Sequence, residues 1–85
     1  MSEEKTRLLD VSPSGARLRE TQAREVGSVD DFSFDLAGER VSVRAKVRHC
    51  LPEERGPGYQ VGVQFLDVEP RARERIREYS RRRRP

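Results

Sequence analysis

The stretch ERVSVRAKVRHCL, residues 39–51, alternates with a period of two. Val41, Val43, Ala45, Val47, His49 and Leu51 fall on one face, and Ser42, Arg44, Lys46, Arg48 and Cys50 on the other. Side chains of a strand point to opposite sides in turn, whereas a helix would spread this pattern around its whole circumference. The segment is therefore read as a strand with one face toward a core and one toward water. The same alternation flanks it. Upstream, Asp31 to Leu36 puts Phe32, Phe34 and Leu36 on one face, and Ala37-Gly38 makes a two-residue hairpin connection, although without the Asn-Gly signature. Downstream, the loop PEERGPG precedes Tyr59 to Phe65, with Tyr59, Val61, Val63 and Phe65 inward.

Further out, Arg7 to Asp10 reads as a short strand, ended by turn signals at Pro13 and Gly15. Gly15 to Arg19 resumes with Ala16 and Leu18 on one face and Arg17 and Arg19 on the other. Residues 20 to 30 are polar and irregular. The period then changes. Pro70 suits the first turn of a helix, and Ala72, Ile76 and Tyr79 give it one apolar stripe. The pattern predicts a frayed N-terminus over 1–6, one domain over 7–80 with a helix over about 70–80, and a basic tail over 81–85. Strands closed by a single helix describe a mainly β fold, a small antiparallel barrel or curved sheet with a C-terminal α-helix packed beside it.

Size limits what such a chain does. Of 85 residues, 39% are charged and 33% apolar, so the core is lean and few apolar positions are spare. The net charge of +3 is unevenly placed. Residues 71–85 hold eight arginines against two acids, while residues 1–70 hold ten basic groups against thirteen acidic ones. Positive charge thus belongs to one end, which argues against nucleic acid as the partner, since such binders interleave basic and aromatic residues over a folded face. The single cysteine, Cys50, excludes an internal disulfide and a multi-cysteine zinc site. With no apolar run of spanning length, the expectation is a soluble cytoplasmic domain without membrane insertion.

Catalytic signatures are absent. His49 and Cys50 are neighbours on a strand and point to opposite faces, so they form neither a nucleophile–base pair nor a metal site; His49 is expected to face inward as a wall residue. There is no G-x-S-x-G elbow, phosphate-binding loop or paired-histidine helix. The reading is non-catalytic, with no cofactor and no metal. The notable stretch is instead DVSPSG, residues 10–15. On its own, D-x-S-x-x-G describes a turn in which Asp10 and Ser12 bond to local backbone, Pro13 fixes one dihedral and Gly15 adopts a positive φ.

The combination of DVSPSGARL, a valine-rich strand ending VRHC, and GYQVGVQFLDV before a closing helix resembles the PilZ domain family. The resemblance implies a six-stranded type of barrel that binds the bacterial second messenger cyclic di-GMP. It also implies that Asp10, Ser12 and Gly15 belong to the ligand-binding motif, with Asp10 accepting from guanine N–H donors. Arg7, Arg17, Arg44 and Arg48 are weaker candidates for charge contacts nearby. The family's R-x-x-x-R element, expected upstream, has no counterpart among the nine residues before Asp10, which hold only Lys5 and Arg7. The family's first strand is missing from them as well. Two expectations follow. A barrel short of one stave exposes a strand edge open to self-association or to a protein partner. The nucleotide, deprived of two charge-assisted partners, loses several kcal/mol of binding at roughly 1.5–3 kcal/mol each. The alternatives are a degenerate PilZ domain acting only in protein–protein interaction and a small basic-tailed nucleic-acid-binding barrel.

Overall fold

A computed structural model describes residues 6–83. Five strands, β1 (Arg7–Ser12), β2 (Gly15–Glu20), β3 (Val29–Leu36), β4 (Glu39–Pro52) and β5 (Tyr59–Val68), precede one helix, α1 (Pro70–Arg83). All pairings are antiparallel, in the order β1-β2-β5-β4-β3. The sheet curls into a half-barrel that brings its end strands β1 and β3 near each other, and α1 packs against β1, β3 and β4. The expected mainly β fold with a terminal helix is borne out, with five strands among the described residues. The helix runs on past residue 80, so Arg81 to Arg83 continue it. Of the N-terminal segment expected to fray, residues 1–5 lie outside the described residues, as do residues 84–85 of the tail.

The alternating faces anticipated from sequence form the core. Leu18, Phe32, Phe34, Leu36, Val41, Val43, Ala45, Val47, Val61 and Val63 are buried, and Ala72 and Ile76 bring the apolar stripe of α1 into the same cluster. Arg71 and Arg75 reach Glu39 at 3.7 and 3.3 Å, tying the helix to the start of β4. The β3–β4 hairpin turns on Ala37 and Gly38, both at positive φ (52° and 85°). This is the backbone of the turn that matches strand twist, and here a residue with a Cβ occupies one of its left-handed positions.

Three expectations along β4 fail, for one reason. The register against β5 slips between Val47 and His49, where Val47 faces Val63 and His49 faces Gly62, leaving Arg48 as a bulged residue. An extra residue in a period-two strand exchanges the two faces from that point on. His49, expected inward, is exposed; Cys50, expected outward, packs against the core; Leu51, expected inward, is 61% exposed. A second slip, in β5, leaves Leu66 unpaired and largely exposed. A third, in β1, does the same for Leu9.

The irregular segment after β2 is held by charge. Glu20 is 5% exposed and accepts from Thr6 Oγ1 at 2.7 Å and from the Arg24 guanidinium. Arg24 also bonds Asp30 at 2.9 Å and lies 4.8 Å from the centroid of the Phe32 ring. A buried carboxylate requires such partners, because the desolvation it suffers is otherwise uncompensated. Arg24→Met is expected to destabilise the domain by about 3 kcal/mol, the low end for breaking a buried pair, because a quarter of the Arg24 side chain remains exposed; urea unfolding measures it. Ala37→Asn should stabilise by roughly 0.5–1 kcal/mol, since Asn tolerates the left-handed region that alanine resists, and the same titration reads the gain.

Candidate functional site

Pro13 and Ser14 form the two-residue link between β1 and β2, and Ser12 faces Gly15 across it. Neither Pro13 nor Ser14 has a positive φ, so this is not the twist-matched turn seen at Ala37-Gly38. Tertiary contacts hold it instead. The Ser14 carbonyl accepts the Phe65 N–H of β5 at 2.9 Å, extending the β2–β5 ladder into the turn. Ser12 Oγ lies 3.3 Å from Ser14 Oγ and donates to the Gly15 carbonyl at 3.4 Å.

Gly15 itself corrects an expectation. Its φ is not positive; what it supplies is space. A Cβ at Gly15 would stand 2.3 Å from the Val63 carbonyl oxygen, so only glycine lets β2 approach β5 this closely. Gly62, two register positions along, also supplies space: its missing side chain is replaced by the His49 ring, which would lie 2.2 Å from a Cβ there. The bulge at Arg48 and the two glycines together make the outer face of the sheet concave.

That concavity, about 480 Å³, is lined by Asp10, Ser12, Ser14, Gly15, Arg17, Arg48, His49, Gly62 and Gln64. Asp10 is exposed and stands 3.8 Å from Arg17, and Arg48 donates to Gln64 Oε1 at 3.0 Å. Asp10, Ser12 and Gly15, singled out from sequence, are thus brought to one rim, and of the weaker candidates Arg17 and Arg48 join them. The other two do not. Arg44 lies farther along β4, 3.4 Å from Asp31, and Arg7 pairs with Arg19 at the opposite end of β1; neither lines the concavity. Sequence reasoning missed His49, Gly62 and Gln64, since the period of two had assigned His49 to the interior. Beyond the site, at the end of β4, the Arg19 N–H and then the Gln60 amide bond to Glu53 and hold its carboxyl below the usual carboxylate range.

A second concavity of similar volume lies on the other side of the same strand, between Leu8 to Pro13 and the helix residues Arg77, Tyr79, Ser80 and Arg81. It shares Asp10, Val11 and Ser12 with the first. Among the described residues no group of three or more His, Cys, Asp or Glu is placed to hold a metal ion, and no helix is long and apolar enough to cross a membrane.

The strand order, the turn and the closing helix meet an independent comparison at this point. The model of the PilZ domain family matches residues 2–82, nearly the whole chain. The chain belongs to the PilZ domain family. At the level of that family, PilZ domains are cyclic di-GMP-binding or adaptor-type signalling domains, generally non-catalytic. No curated protein and no solved structure matches the chain.

The backbone clash at Gly15 yields a prediction. Gly15→Ala should cost about 1–3 kcal/mol, as overpacking against main chain does. Gly62→Ala should cost less, because the obstructing atoms belong to a surface side chain, but it should displace the imidazole. Denaturant titration gives the two stabilities, and the His49 ring shifts in NMR spectra report the displacement.

Proposed function

We propose that this PilZ domain is a non-catalytic sensing or adaptor domain of cyclic di-GMP signalling, acting in the cytoplasm, with the nucleotide held on the outer face beside the β1–β2 turn. One observation carries the reading: Asp10, Ser12 and Gly15 share a concave rim with Arg17, Arg48 and His49. A guanine edge presents N–H donors that the exposed Asp10 carboxylate accepts, and Ser12 donates or accepts beside it. The cyclic diphosphate carries two negative charges, for which Arg17 and Arg48 provide planar, multidentate donors. Gly15 and Gly62, lacking side chains, let a flat base approach the sheet.

Binding on this face would alter the surface presented by β1, which is the route to a partner. The exposed edge of β1 supports the accompanying adaptor role, through a protein partner or self-association. A purely protein-binding domain is the second reading, favoured by the apolar groove that runs along that edge.

Isothermal titration with cyclic di-GMP, with GTP as control, tests the proposal. The expected result is saturable binding of the cyclic dinucleotide that Asp10→Ala weakens at least tenfold, with the unfolding transition unchanged because the Asp10 side chain is 70% exposed. Arg48→Ala should weaken it similarly. Absence of binding by the intact chain would leave the protein-binding reading alone.

A further inference from the structure

Both concavities beside β1 expose more apolar than polar lining. The edge groove has Leu8, Leu9, Val11 and Tyr79 along it and Arg77 and Arg81 on its helical side. Among the described residues β1 is the end strand of the sheet, so one row of its backbone N–H and C=O groups has no strand partner there. Within that row the Val11 carbonyl takes only a long bond, 3.4 Å, from the Ser80 hydroxyl.

The arginines supply the remaining information. On α1, Arg71 and Arg75 are paired with Glu39, and Arg82 with Glu78. Among the described residues, Arg77 and Arg81 enter no ion pair, and they stand one helical turn apart, side by side above the groove. A strand edge, an apolar lining and two uncompensated cations select the same occupant. Nucleic acid does not suit the apolar lining. A second copy paired β1 to β1 about a two-fold axis would bring two Arg77–Arg81 pairs to one seam, which like-charge repulsion opposes.

We propose that this groove binds an extended segment of a partner protein in which apolar residues alternate with carboxylates. The segment adds to β1 as a further strand, its apolar side chains on Leu9 and Val11 and its carboxylates against Arg77 and Arg81. Main-chain bonds along β1 give affinity, and the two arginines select the partner's charge. The inference deepens the partner-surface part of the function proposed above and rests on it, but does not require the nucleotide. Since Asp10, Val11 and Ser12 border both concavities, an occupant of either one alters the strand that the other uses.

The test uses the full chain and three capped synthetic peptides: one alternating valine and glutamate, one alternating valine and lysine, and the first with alternate backbone nitrogens methylated. The glutamate peptide should shift the backbone amides of Leu9 and Val11 in NMR spectra and saturate; the other two should not. Arg77→Glu with Arg81→Glu, both at exposed positions, should weaken the glutamate peptide about tenfold and transfer binding to the lysine peptide. Equal binding of both charges, shifts centred away from β1, no binding of any peptide, or a dimer in sedimentation equilibrium with Leu9 and Val11 amides protected would each overturn the proposal. Cyclic di-GMP titrated in parallel separates the two ideas. Nucleotide binding without peptide binding removes only the groove inference, and peptide binding without nucleotide binding removes only the outer-face site.

Discussion

β4 is hydrogen-bonded on both sides, to β3 and to β5, and the rest of the domain is arranged around that double pairing. Fourteen residues of strand in unbroken register would twist but would curl less, leaving the sheet more open. Two slips against β5 prevent it, one leaving Arg48 unpaired on β4 and the other Leu66 on β5. Each bulge sharpens the local twist, so the sheet curls far enough for β1 to come near β3 and for α1 to lie across the remaining gap. A core built from so few apolar residues depends on that curl, because a flat sheet of this composition would leave one apolar face in water.

The candidate ligand face is a product of the same irregularity. By adding one residue at Arg48, the bulge moves His49 from the interior to the surface, where its ring covers Gly62. Across the sheet Gly15 lets β2 press on the Val63 carbonyl, and the Ser14 carbonyl continues the ladder to Phe65. A carboxylate, a hydroxyl, two guanidinium groups and an imidazole are thereby collected from β1, β2 and β4, with β5 running between the last two. None of them is held by a strong ion pair: the Asp10–Arg17 contact is 3.8 Å and exposed, so both remain available to a ligand.

Charge in this PilZ domain is divided between structural and accessible groups. Arg24 is committed to Glu20, Asp30 and Phe32, and closes the polar segment between β2 and β3 over the core. Arg71 and Arg75 anchor the helix to Glu39. The excess of positive charge toward the C-terminus is therefore partly a fastening device, and part of it, at Arg77 and Arg81, overlooks the groove beside β1.

How much of this was legible in the sequence differs element by element. Phe32, Phe34, Leu36, Val41, Val43, Ala45, Val47, Val61 and Val63 declared their strands and their buried faces, because side-chain alternation is local and a half-buried strand must obey it. The helix after Pro70 and the grouping of Asp10, Ser12 and Gly15 at a turn were equally local. The faces of His49, Cys50 and Leu51, the burial of Glu20 and the space-making role of Gly15 were not. A bulge depends on which residue of a distant strand lies opposite, a buried carboxylate depends on the cations brought to it, and the need for glycine at position 15 depends on the carbonyl of Val63, forty-eight residues away. Periodicity set which residues face the core; only the pairing of β2 and β4 with β5 decided where that periodicity breaks, and the surface concavity lies at the break.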